Sequence, residues 1–217
     1  MAQSKEVRQR LDFLIKELGF KKKKGSYVFS PDGSKVFSLD VCGMHGTHGV
    51  YPVGIHVGVA IREVNDIIIQ LTECGDHPLV SNDMFIIGTD LGYLTPLKKY
   101  HEWLFVENEN NESVYNDIIF NIKNYAFPFF YAKTTFEGLF DSIKNNSPWM
   151  FEYNRYEYLP IMYYMSGDWT TGKQTIQKFI HERNNDGNDD SPDFKRYMVF
   201  VNNYEKLRDV EPPALLL

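Results

Sequence analysis

Between Cys42 and His56 the chain gathers His45, His48 and His56, three of its six histidines, with one of its two cysteines, in a glycine-rich run. Two kinds of chemistry would use these side chains. Three imidazoles, with Asp40 or Cys42 beside them, could hold a zinc-like ion that keeps one position open for water. Alternatively, Asp40 could orient His56 as a general base. The spacing matches none of the well-marked metal motifs, since there is no His-Glu-x-x-His and no paired Cys-x-x-Cys. Gly43, Gly46 and Gly49 instead suit a turning connection between strands, with His45 and His48 as exposed polar residues. The expectation is therefore no cofactor, no metal and no catalytic residue. His45, His48 and His56 stand as the metal alternative, and Asp40 and His56 as the acid/base alternative of a hydrolase-like enzyme.

The elements that must position these residues follow from periodicity. Apolar residues at Val7, Leu11, Leu14, Ile15 and Leu18 recur at helical spacing up to Gly19. Lys21 to Lys24 then read as a solvated turn, since cations are favoured at a helix C-terminus. Short strands are expected at 27–30 and 36–41, joined by the turn Pro31-Asp32-Gly33-Ser34. Residues 53–62 give the clearest strand: Val53, Ile55, Val57, Val59 and Ile61 alternate with Gly54, His56, Gly58, Ala60 and Arg62. His56 thus stands between two glycines on a face nearly bare of side chains, where another backbone or a ligand can approach closely. What covers that face decides what His56 can do.

A helix is expected from Val64 to Leu71, further strands at 84–89 and 102–107, and mostly helices from about residue 113 onward. The last helix opens with Ser191 as cap and Pro192 at its first position. The fold class expected is α+β: a small, mostly antiparallel sheet flanked by helices, followed by a helical C-terminal half. The division expected is 1–110 for the sheet-containing part and 111–217 for a helical part packed on it, together one compact unit.

Two features suit protein recognition. The stretch Trp149, Tyr153, Arg155, Tyr156 and Tyr158 combines the residue types enriched at binding hot spots, with helix packing as the alternative. The acidic links containing Glu107, Glu109 and Glu112, and Asp186, Asp189 and Asp190, would suit a basic partner. The second link does not make a calcium loop, because Gly187 and the residue twelve from Asn184 fall at the wrong positions. Gly88-Thr-Asp-Leu-Gly92 is too short a glycine signal for phosphate binding.

Composition narrows the classes. At 217 residues, 43% hydrophobic and 15% aromatic, the chain can bury a real core. A net charge of −6 argues against nucleic acid, whose binders carry basic faces, and suits a basic protein. Two cysteines make no disulfide framework. The first twenty residues lack the apolar core of a signal peptide, and no apolar run approaches the ~20 residues that span a bilayer. A cytoplasmic protein with no membrane partner is expected.

Several segments together resemble a known family. Leu18-Gly-Phe-Lys-Lys-Lys-Lys-Gly25 after an amphipathic helix, the glycine-alternating strand at 53–62, Ile87-Gly88, Trp103 and Ala126-Phe-Pro-Phe-Phe130 resemble an uncharacterised bacterial domain of unknown function. The resemblance covers about residues 5–145 and carries no catalytic residues. Residues 159–168 and 173–180 resemble a single tetratricopeptide-like helix pair, without most of the small residues that let such helices nest. The resemblance implies an immunity-type protein: a non-catalytic inhibitor that neutralises a bacterial toxin or effector by direct contact.

Overall fold

A computed structural model of the protein describes residues 2–43, 46, 48–75, 81–145, 150, 152–185 and 191–213. The fold is α+β: among the described residues a small antiparallel sheet of six strands is joined by helices, which fill the C-terminal half. Helix α1 (Ala2–Glu17) leads into β1 (Lys21–Lys23), β2 (Ser26–Phe29), β3 (Lys35–Gly43) and β4 (Val50–Ile61). Helix α2 (Arg62–Thr72), β5 (Ile87–Asp90), the single turn α3 (Leu91–Leu94) and β6 (Glu102–Val106) follow. The strand order is β1-β2-β3-β4-β5, with β6 also paired to β4.

The chain divides differently from the boundary expected near residue 110. Residues 1–59 and 88–134 form one compact unit, and residues 60–87 and 135–217 form another. Side-chain patterning explains the difference. Helix α2 packs against helices far along the chain, α7 (Glu152–Met165) and α9 (Pro192–Tyr204), while α4 (Glu112–Asn121) packs on β6 and α1.

In the first unit, the lysine run forms an edge strand rather than a turn. Lys21 pairs with Val28 and Lys23 with Ser26, and all three lysines of β1 are exposed. Lysines along an edge strand discourage pairing with another chain. Lys22 and Lys16 both reach the Asp12 carboxylate, at 3.0 and 2.6 Å. The turn after β2 is made by Asp32, whose Oδ1 accepts from the amides of Ser34 and Lys35. Phe37 and Phe29 are register partners across β2 and β3, and both rings meet Phe127 of α5 (Phe127–Lys133). Phe37 stacks on Phe130 at 4.9 Å. The Phe-Pro-Phe-Phe segment is therefore core packing. Pro128 has no amide hydrogen to donate back to Asn124, and the helix widens there into a π turn, Ile122–Ala126.

In the second unit, α6 (Phe136–Lys144) precedes the pair α7 and α8 (Trp169–Asn185). This pair has the one small residue it needs: a Cβ on Gly172 would meet the Tyr204 hydroxyl and, at 2.8 Å, the carbonyl of Pro160. The Tyr204 hydroxyl itself donates to that carbonyl at 3.1 Å, tying α9 to both helices.

Candidate functional site

Strands β4 and β6 sort their side chains cleanly. On the inner face, Val53 pairs with Trp103 and Tyr51 with Phe105; Val53, Trp103 and Phe105 are buried. The Trp103 indole donates to Asp117 of α4 at 2.6 Å. On the outer face, Val50 pairs with Val106, Pro52 with Leu104 and Gly54 with Glu102, and His56 comes next along β4. Strand β3 places Ser38, Asp40 and Cys42 on the side opposite its inward Phe37 and Leu39, since side chains alternate. The outer face is closed at Ser38 and Gly58 and open at Cys42, His56 and Leu104.

Over Gly54 stand two polar side chains. A Cβ on Gly54 would find the Tyr100 hydroxyl at 3.5 Å and the Asp90 carboxylate oxygen Oδ2 at 4.0 Å. Both belong to the segment from β5 to β6, whose conformation is set locally. Asp90 caps α3: its Oδ1 accepts from the amide of Gly92 at 2.8 Å and of His101 at 3.3 Å. Gly92 must be glycine, because a Cβ there would run into the Lys99 carbonyl and lie 2.7 Å from the His101 Cβ. Thr95 donates to the Gly92 carbonyl and accepts from the Leu97 amide, closing the loop. Tyr100 is thereby laid across Gly54, and its hydroxyl donates to Glu102 at 2.7 Å.

The electrostatics of the face are acidic. Asp40, Asp90 and Glu102 converge on it, all within the first unit. The Cys42 thiol is pushed up from its ordinary range by burial, then by Asp40 and Asp90. The Tyr100 phenol is pushed up to about 12, chiefly by its hydrogen bond to Glu102. Asp90 is 4% exposed, yet its Oδ2 is fully buried with no hydrogen-bond partner. A buried carboxylate oxygen left unpaired is costly, and in a native structure such a group calls for a cause.

The residues singled out from the sequence separate here. His48 is exposed, in the left-handed conformation (φ 56°) at the turn before β4. From Val50 to His56 the strand advances about 20 Å, so His48 and His56 cannot bind one ion. Among the described residues no three His, Cys, Asp or Glu side chains gather as metal ligands, and His45 lies outside those residues. Asp40 and His56 share the outer face without a hydrogen bond between them, so the acid/base alternative lacks the contact that would orient the imidazole.

Of the aromatic stretch, Tyr158 is 5% exposed and donates to Asn65 at 2.8 Å. Tyr156 stacks on Phe179 at 3.6 Å, and Arg155 donates to the carbonyls of Ile143 and Lys144. These three side chains make contacts within the helical unit, which is the packing alternative for this stretch, while Arg155 and Tyr156 stay partly exposed. Trp149 and the side chain of Tyr153 lie outside the described residues, as do Asp186, Asp189 and Asp190. Glu107, Glu109 and Glu112 are exposed, and Asn111 shapes their loop by donating to the carbonyls of Val106 and Glu109.

Asp90 and Tyr100 escaped the sequence reading. The signal that could have found them is Asp90-x-Gly92, an aspartate two residues before a glycine at the end of a strand. In the second unit a cavity of about 440 Å³ is lined by Ile67, Leu71, Glu73, Asn203, Lys206 and Val210. Its Asn203 donates to Glu73 and accepts from Lys206. Among the described residues no helix is long and apolar enough to cross a membrane. Comparison with protein-family models, with curated proteins and with solved structures gave no match.

Proposed function

We propose that this is a non-catalytic binding protein that docks a basic protein partner, of the kind an immunity-type inhibitor uses to neutralise a bacterial toxin or effector in the cytoplasm. The observation that carries the reading is the outer face of β4 and β6. There Leu104 and Tyr100 are 54% and 52% exposed among Asp40, Glu102 and the neighbouring loop acids Glu107 and Glu109. Exposed apolar and tyrosine side chains ringed by acids are the composition of a recognition patch whose partner is positively charged. The net charge of −6 and the family resemblance support the same reading.

The test is direct. The immobilised full chain is offered the purified products of neighbouring genes, and co-expression is scored for rescue of growth. Retention of a basic, toxic product, weakened by Leu104→Asp, is the expected result. Failure to retain any of these products, with no rescue, sinks the reading.

A further inference from the structure

We propose that the buried Asp90 oxygen beneath Tyr100 is the receptor for a single arginine guanidinium of the basic partner. The inference rests on the basic-partner reading above and names the group recognised and the atoms that recognise it.

Asp90 Oδ2 and the Tyr100 hydroxyl both stand beside Gly54, 4.0 and 3.5 Å from where a Cβ would lie, so the glycine leaves room for about one methyl group between them and β4. The other oxygen, Oδ1, is committed to the amides of Gly92 and His101, so the carboxylate cannot rotate to serve itself. The neighbouring loop cations Lys98 and Lys99 make no ion pair with it, and both are exposed. One acceptor is therefore held in place, unsatisfied, on a face where Asp40 and Glu102 add to the negative potential.

Tyr100, whose hydroxyl stands beside Gly54 with this acceptor, is lightly held. Tyr100 is half exposed and its hydroxyl is held by one bond to Glu102. A bond at the surface exchanges readily for one to water, and exposed side chains change rotamer in nanoseconds or less. With the ring swung aside, a cation sliding over Gly54 would meet Asp90 and Glu102 together.

The chemistry favours arginine over lysine or a metal. A guanidinium is planar, weakly hydrated and carries donors on both edges, so one group can bond two carboxylates while the Tyr100 ring stacks on its face. An ammonium loses more hydration on entering a buried site and offers no flat face. No triad of metal ligands gathers here among the described residues.

The experiment uses the full chain and two fluorescent hexapeptides, one alternating glycine and arginine, the other glycine and lysine. Wild type is expected to bind the arginine peptide at least about fivefold more tightly. Asp90→Asn, which keeps an oxygen for Gly92 and His101, lowers that affinity about tenfold. Gly54→Ala does the same by filling the approach. Its new methyl meets nothing closer than 3.5 Å, so the free protein keeps its fold even if Asp90→Asn does not. Glu137→Gln, an exposed acid of α6 in the second unit, changes either affinity less than about twofold.

Equal affinity of wild type for the two peptides, or full retention of arginine affinity in either folded variant, overturns the arginine receptor and leaves basic docking standing. Failure of wild type to bind both peptides overturns the receptor and the basic-partner reading together.

Discussion

Tyr158 shows how one residue can carry two contrary readings until its neighbours are known. Its type and setting suit a hot spot, yet its hydroxyl is buried against Asn65, and burial pushes its phenol well above the ordinary range. Asn65 uses its amide nitrogen on the carbonyls of Asn82 and Met84, so its oxygen depends on the tyrosine. Tyr158→Phe therefore leaves a buried acceptor unpaired. Denaturant unfolding should show a loss of about 1–3 kcal/mol, with affinity for a basic peptide unchanged. Asp90 is the reverse case: a residue in a weak glycine motif, made conspicuous by an oxygen that finds no partner.

At the level of elements, α1 is fastened to β1 and β2 through one carboxylate. Asp12 accepts from Lys16, Lys22 and the Tyr27 hydroxyl, and the hydrogen bond from Lys16, followed by those from Lys22 and Tyr27, holds its pKa down at about 2 against an ordinary 3.8. A folded-state pKa below the unfolded one adds stability that is present above pH 3.8 and is lost as the pH falls toward 2. The lysines are about half exposed, so the contribution is that of a screened surface network. Asp12→Asn should lower stability by up to about 1 kcal/mol at pH 6. Thermal scans across pH should show the gap to wild type closing between pH 3.8 and about 2. A gap of constant size down to pH 2 would mean that the ion pairs do not stabilise the fold.

For the molecule as a whole, the net charge of −6 would set how fast the proposed basic partner arrives. Long-range attraction is screened as the Debye length shrinks from about 30 Å at 0.01 M salt to about 10 Å at 0.1 M. Stopped-flow association of the arginine peptide should slow roughly tenfold over that range. Dissociation should change much less if the proposed desolvated contacts at Asp90 hold the peptide. A salt-independent association rate would show that the acidic surface does not steer the partner. Charge acts at this scale without regard to how the chain divides, which is why composition alone already pointed toward a basic ligand.

The α+β class, the β4 strand, the turn at Asp32 and the cap at Ser191 were legible in the residues because each rests on local chemistry: alternation, turn propensity, or a side chain reaching its own backbone. The same alternation located Gly54 and His56 on a bare face. Contacts between distant segments were beyond its reach. That the lysine run is an edge strand depends on pairing with β2, and that α2 belongs with α7 and α9 depends on helix faces far apart in sequence. That His48 and His56 are held apart follows from the length of an extended strand. That Asp90 and Tyr100 meet over Gly54 depends on how β5, α3 and β6 return the chain to β4, more than thirty residues beyond that glycine. Only the tertiary structure decides which polar group is left without a partner, because satisfaction is a property of the neighbours and not of the residue.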